Sequence, residues 1–226
     1  MLSLYEISLA MSIEKKEIAA IREDYAKNSL SESDVLDNPI DQFKIWFTEA
    51  LDSHVNEPTA MVVSSVSQKG HPSSRVVLLK DIKPDGISFF TNYNSRKGQE
   101  MIQNPNVSVL FFWPELQRQV RFEAAVEKLP KSDSDEYFAT RPRGSQIGAI
   151  ASPQSSIIAN RESLETRVAE VEQDMQGKDV PRPDFWGGFL LKPVRVEFWQ
   201  GRSSRLHDRI VYIKENDNWA INRLAP

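Results

Sequence analysis

A chain of 226 residues with 40% hydrophobic and 27% charged side chains has the composition of a globular protein long enough to bury a core. Its formal net charge of −4 provides no broad basic surface for displacing counterions, which disfavours general nucleic-acid binding and requires any anion site to be local. There is no cysteine, so disulfides, iron–sulfur clusters, zinc ribbons and thiol nucleophiles are excluded, and the three histidines (His54, His71, His207) are too scattered for a metal motif.

The N-terminal stretch "MLSLYEISLAMSIEKKE" contains Glu6 and lacks a basic lead and a cleavage site, so it does not read as a secretory signal. No apolar run approaches the ~20 residues of a membrane helix, and a cytoplasmic protein is the expectation. Ile13, Ile18 and Ile21 among many charges predict a weakly amphipathic helix over residues 12–27. "NSLSESDVLDNP" reads as a linker, so residues 1–36 form a helix and flexible connection ahead of one domain over 37–226. Pro39 opens a second helix, "PIDQFKIWFTEALDSH", with Ile40, Phe43, Phe47 and Leu51 on one stripe.

After Pro58 short β-branched and aromatic runs follow one another: "TAMVVSSVS", "SSRVVLLK", "GISFFTN", "NVSVLFFW" and "RQVRFEAAVEKL". Turn-like "QKGHP" and "KPDG" separate some of them. "NSRKGQEMIQN" predicts a short helix with Ser95 near its start. "DSDEYFAT" predicts another, with Asp133 and Glu136 in capping-box spacing and Pro142 ending it. "NRESLETRVAEVEQDMQ" is a charged helix, "GKDVPRPDFWGG" a loop, and strands resume with "FLLKPVRVEFWQ", "RLHDRIVYI" and "NWAINRLAP". The class is mainly β (α+β): an antiparallel sheet or barrel with helical insertions.

Rossmann, Walker, Gly-x-Ser-x-Gly and His-Glu-x-x-His motifs are all missing. Four clusters nevertheless offer phosphate-binding groups. Arg75 and Lys80 flank an apolar strand and, five residues apart, point to opposite faces, as ligand contacts or as solvated strand ends. Ser95, Arg96 and Lys97 sit where a helix begins, as a phosphate seat or a basic turn. Tyr137 and Arg141 share a helix face with Ser145 beyond the proline, as a phosphate clamp or a surface pair. In "EFWQGRSSRLHDR" a strand reading aligns Arg205, His207 and Arg209 on one face, toward water or an anionic ligand, near the aromatic Phe198 and Trp199.

"VEFWQGRSSRLHDR" resembles the C-terminal signature of the pyridoxine/pyridoxamine 5′-phosphate oxidases. "SSRVVLLK", "FFTNYNSRKG", "YFATRPRGSQIGA", "SPQSS", "FWGGF" and "NRLAP" resemble further blocks of that family in the same order. The resemblance implies an FMN-binding split β-barrel, homodimeric, with two sites across the interface and a C-terminal dimerisation region. It implies oxidation of pyridoxamine or pyridoxine 5′-phosphate by O2 to pyridoxal 5′-phosphate, without a metal. The implied FMN contacts are Arg75, Val76, Val77, Leu78, Leu79, Lys80, Phe90, Thr91, Arg96, Lys97, Gln119, Gln154, Ser155, Trp199 and Arg209. The implied substrate contacts are Lys80, Tyr137, Arg141 and Ser145 at the phosphate and Arg205 and His207 beside the pyridine, these last two carrying the catalytic role. Arg22 and Tyr25 belong to an N-terminal segment that folds over the site. Phe90 departs from the family pattern, which has tyrosine there.

Overall fold

The computed structural model describes residues 25–226; Arg22 and nearly all of the helix expected over 12–27 lie outside the described residues. In chain order the elements are α1 (Pro39–Asp52), β1 (Ala60–Val66), β2 (Pro72–Leu78), β3 (Asp81–Lys83), β4 (Gly86–Asn92), α2 (Arg96–Gln103), β5 (Asn106–Trp113) and β6 (Arg118–Lys128). They continue with α3 (Lys131–Thr140), α4 (Arg143–Ala151), α5 (Arg161–Asp174), β7 (Trp186–Gln200), β8 (Asp208–Glu215) and β9 (Asn218–Arg223).

The nine strands form one antiparallel sheet in the order β2-β1-β5-β6-β7-β4-β3, with β9 on β8 and β8 on β7. The branch arises because β7 is fifteen residues long and changes partner on one side. Its first part, from Trp186 to Leu191, pairs with β4, and its last part, from Arg195 to Gln200, pairs with β8. Pro193 occupies the gap between these partners, where a missing N–H costs nothing on that side. Opposite it, β6 shifts register between Glu123 and Ala124, a bulge that bends the sheet.

Helix α1 closes the inner face. Asn38 caps it by accepting the Ile40 N–H at 2.8 Å, and Pro39 follows at the first helical position. The buried stripe is Ile40, Phe43, Trp46 and Ala50; Leu51, expected on it, is 48% exposed. The helix is rotated toward Trp46, whose ring packs on Phe198 at 5.1 Å and under the Arg118 guanidinium at 4.2 Å. Phe43 meets Phe111 at 5.0 Å and Phe122 at 5.2 Å, and truncating so buried a ring costs about 3–5 kcal/mol. A smaller core of Phe138, Ile147, Ala151, Val171, Val180 and Trp186 holds α3, α4 and α5 against the start of β7.

Two local expectations are corrected. Helix α3 begins at Lys131 after Pro130 without a side-chain cap; Asp133, already inside the first turn, instead takes the Lys83 ammonium at 3.1 Å. The strand expected to carry Arg205, His207 and Arg209 begins only at Asp208. Ser203–Arg205 is a single 3-10 turn in which Ser204 and Arg205 have φ of 56° and 61°, left-handed values that break strand alternation.

Candidate functional site

A cavity of about 540 Å3 opens where β2, β4 and α2 meet the α3–α4 corner. Val76, Val77 and Leu78 of β2 form one wall with Lys80 just beyond the strand end, and Phe90, Thr91 and Asn92 close β4. Lys97 enters from α2. Tyr137, Thr140, Arg141, Pro142 and Ser145 come from the helical corner, with Gln154 and Trp186 completing the lining. Leu79, by contrast, points into the core. A smaller recess of about 290 Å3 shares Arg141, Ser145, Gln154 and Trp186. A neighbouring cavity of about 550 Å3 shares only Asn92 and Gln154 with the first and contains none of the other expected contacts.

At the α2 edge the cations gather. Ser95 caps α2, accepting the Gly98 N–H at 3.2 Å and donating to the Asn92 carbonyl at 2.6 Å. Lys97 is buried and has no hydrogen-bond partner among the described residues; burial, and then the charge of Arg75, hold its ammonium below the usual lysine range. Arg75 donates from Nη1 to the Val63 carbonyl at 3.0 Å and Ser65 at 2.8 Å, and from Nη2 to Ser73 at 2.6 Å. Arg96 donates to Glu100 at 2.8 Å. Burial alone would raise the Glu100 carboxyl, but hydrogen bonds from Ser65, Ser73 and Arg96 pull it down to about 2. Neither Arg75 nor Arg96 lines the cavity itself, but the Arg75 charge acts on Lys97 and the Arg96 charge on Arg75, so the three cations form one cluster.

On the other side the wall is aromatic. Phe90 stacks on Tyr137 with centroids 4.0 Å apart and on Trp186 at 5.6 Å, and the Arg141 guanidinium lies 4.5 Å from the Trp186 ring. The side chain at position 90 contributes its ring to this stack, which a tyrosine would share; phenylalanine removes only the hydroxyl. Arg141 follows α3 as its C-terminal cap rather than sharing its face with Tyr137. Its Nη1 is buried with no partner among the described residues, and burial pushes its pKa down. A guanidinium N–H in that state costs free energy until an anion arrives.

The remaining expected residues lie elsewhere, on the outer face of the sheet. Gln119, Trp199 and Arg209 stand opposite one another across β6, β7 and β8. Arg209 is held by Glu197 at 2.8 and 3.2 Å, and Arg121 pairs with the same buried carboxylate. His207 lies 4.5 Å from Trp199, and Tyr25 stands about 6 Å from both rings (6.0 and 5.9 Å). His207 Nδ1 accepts the Arg202 N–H at 3.1 Å, so the neutral imidazole carries its proton on Nε2; burial, with the Arg205 charge, lowers its pKa. Arg205 is exposed at the tip of the turn. Ser155 is exposed with φ of 73° and lines neither group.

Sequence reasoning missed Glu100, Glu197 and Trp186. The first was within reach, because Arg96 and Glu100 are four apart on one helix face. The other two depend on cross-strand register and on a helical layer that no local pattern displays.

Residues 47–174 match the family described as pyridoxamine 5′-phosphate oxidase, and residues 186–226 the pyridoxine 5′-phosphate oxidase C-terminal dimerisation region. A pyridoxine/pyridoxamine 5′-phosphate oxidase of Haemophilus influenzae is 54% identical over 210 residues, covering 93% of this chain and all of the relative. The chain belongs to the pyridoxamine 5′-phosphate oxidase family. A Cyanothece oxidase of the same name is 47% identical over 92% of this chain and 98% of its own. Among solved structures, PhzG from Burkholderia lata 383, in complex with tetrahydrophenazine-1-carboxylic acid, superposes with a TM-score of 0.84 at 31% identity, covering 89% of this chain and 99% of PhzG. An FMN-binding protein from Nostoc punctiforme, at 15% identity, has a TM-score of 0.66 over 84% of this chain and 98% of its own; it shares the fold alone. The branched antiparallel sheet is thus the split β-barrel that the family signature implies. Among the described residues no helix is long and apolar enough to cross a membrane, and no group of three or more His, Cys, Asp or Glu side chains is arranged to hold a metal.

Proposed function

We propose that this chain is an FMN-dependent oxidase that converts pyridoxamine and pyridoxine 5′-phosphate to pyridoxal 5′-phosphate, with O2 as acceptor and H2O2 as co-product. The observation that carries it is a single cavity with a cationic donor at two edges, Lys97 at one and the Arg141 guanidinium on the aromatic stack at the other. Lys97 is buried with no hydrogen-bond partner among the described residues at one edge, and Arg141 keeps a buried Nη1 with no partner among them at the other. Two phosphorylated aromatic molecules side by side would satisfy both.

In this reading Lys97, with Arg75 and Arg96 in the same cluster, receives the FMN phosphate, while Val76, Val77, Leu78, Phe90, Thr91 and Gln154 line the flavin. Bound FMN would supply the two-electron acceptor for oxidation of the substrate at C4′, with dioxygen as the final electron acceptor. Lys80, Tyr137, Arg141 and Ser145 hold the substrate phosphate. That handle is remote from C4′, so its binding energy goes into orienting the reacting carbon. His207, neutral with a proton on Nε2, presents a hydrogen-bond donor to the pyridine, and Arg205 stacks beside it.

Tyr25, Gln119, Trp199, Arg205, His207 and Arg209 stand apart from this cavity, and the reading assigns them to the cavity of a second protomer. Supporting that assignment, the outer sheet face exposes Phe112, an apolar ring that a partner would cover. Phe112 lies directly opposite Gln119 in the register. The 186–226 match to a dimerisation region agrees with it.

The test is anaerobic addition of pyridoxamine 5′-phosphate to the flavin-loaded protein. Bleaching of the flavin, reversed by air with pyridoxal 5′-phosphate appearing, is the expected result. A flavin that stays yellow would overturn the assigned substrate.

A further inference from the structure

Glu100 is the least expected member of the cation cluster, because a carboxylate beside a phosphate seat repels the ligand. Its side chain is buried and accepts three hydrogen bonds: Oε2 accepts from Ser65 at 2.5 Å and Ser73 at 2.6 Å, and Oε1 accepts from the Arg96 Nε–H at 2.8 Å. Both serines are also acceptors for Arg75, Ser65 from Nη1 and Ser73 from Nη2. A carboxylate can only accept, so it draws both hydroxyl protons to itself and turns the serine lone pairs toward the guanidinium. Three of the five Arg75 N–H groups are thereby engaged, with the Val63 carbonyl as the third acceptor, and Nη2 also stands 3.6 Å from Glu100 Oε2 in a direct ion pair.

We propose that Glu100 is a positioning residue for the cofactor phosphate: it sets the direction of two serine hydroxyls, orients the Arg75 guanidinium through them and through its own ion pair, and holds Arg96 alongside. The inference rests on the FMN reading above. The cluster's charges suit the role, since Arg75, Arg96 and Lys97 against one carboxylate leave two positive charges, matching a phosphate monoester of about −2.

Positioning and simple repulsion have opposite signs, which makes the claim decidable. If Glu100 acted only as a nearby negative charge, Glu100→Gln would tighten FMN binding. If it orients the arginines, the same change weakens FMN, because an amide offers donors where the serines and Arg75 need an acceptor. The full-length protein, stripped of flavin, is titrated with FMN and with riboflavin, which lacks the phosphate, following quenching of flavin fluorescence. The expected result for Glu100→Gln is an FMN affinity reduced about tenfold or more, with riboflavin affinity within about threefold of wild type. FMN binding that is unchanged or tighter overturns the proposal, and so does an equal loss for both flavins, which marks a merely structural residue. If Glu100→Gln does not fold, Ser73→Ala decides, since it removes one hydroxyl relay from an edge strand. An FMN-specific loss of about threefold supports the proposal, and an unaltered FMN-to-riboflavin ratio overturns it. Wild-type protein that takes up no FMN overturns the cofactor reading itself and this inference with it.

Discussion

Arg141 concentrates the case for a phosphorylated substrate in one side chain. Its guanidinium lies over Trp186, is half-buried, and keeps Nη1 without a partner among the described residues, so the protein carries a desolvated donor that an anion would satisfy. Because the phosphate is distant from the carbon that reacts, this contact serves ground state and transition state alike. Arg141→Ala is therefore expected to raise KM for pyridoxamine 5′-phosphate by about 10- to 100-fold, the value of one or two charge-assisted hydrogen bonds, while kcat stays within a few-fold of wild type. Steady-state kinetics separates the two quantities. A fall in kcat at unchanged KM would move Arg141 out of the phosphate pocket and into the reacting region. In the sequence Arg141 stood out only through the "YFATRPRGSQIGA" block, since its spacing to Tyr137 wrongly placed it on a helix face, and its buried Nη1 was not legible at all, because the ring beneath it is Trp186, forty-five positions away in a different element.

Helix α2 shows how an element, rather than a residue, sets the geometry of the cation cluster. Its first turn lies directly on the end of β4: a Cβ added at Gly98 would stand 2.4 Å from the Tyr93 carbonyl oxygen and 2.7 Å from that of Asn92. Backbone cannot yield as a side-chain tip can, so Gly98→Ala must lift the helix, and Lys97 and Glu100 move with it. The expected cost is about 1–3 kcal/mol of stability, a fall in Tm of roughly 2–12 °C, together with weakened FMN binding. Gly144→Ala in the first turn of α4 is the control, because nothing lies within 4 Å of its Cβ position; its Tm is expected unchanged or slightly raised. Thermal unfolding and flavin titration of both variants check this, and an undisturbed Gly98→Ala would show that the close approach is not a constraint. The start of α2 could be read from Ser95, and α1 from Pro39, because caps are local chemistry. The 203–207 turn could not. Two left-handed residues and the Arg202-to-His207 hydrogen bond defeat the alternation that made "RLHDRI" look like a strand, and neither leaves a mark in side-chain pattern.

At the scale of the molecule, the expected contacts fall into two groups that one protomer does not bring together. The cavity holds Lys80, Lys97, Tyr137 and Arg141, whereas His207, Trp199 and Arg209 lie on the outer sheet face, beyond its lining. No sequence motif reveals such a division, since motifs record order along the chain and not which copy completes which site. If each site takes one group from each protomer of a two-fold dimer, two variants dead for different reasons should rescue one another. Arg141→Ala damages the cavity group and His207→Ala the outer group. In a mixed dimer both lesions fall in the same site, and the other site is built wholly from intact groups. Co-expression at equal levels should make about half of the dimers mixed and restore about a quarter of wild-type activity per protomer, measured at a substrate concentration where either variant alone is nearly silent. Differently tagged chains, purified through both tags, should raise that to about one half, because every dimer then contains one intact site. Activity no greater than the mean of the two single variants would place both groups in the service of one protomer, and the exposed Phe112 ring would then need another partner.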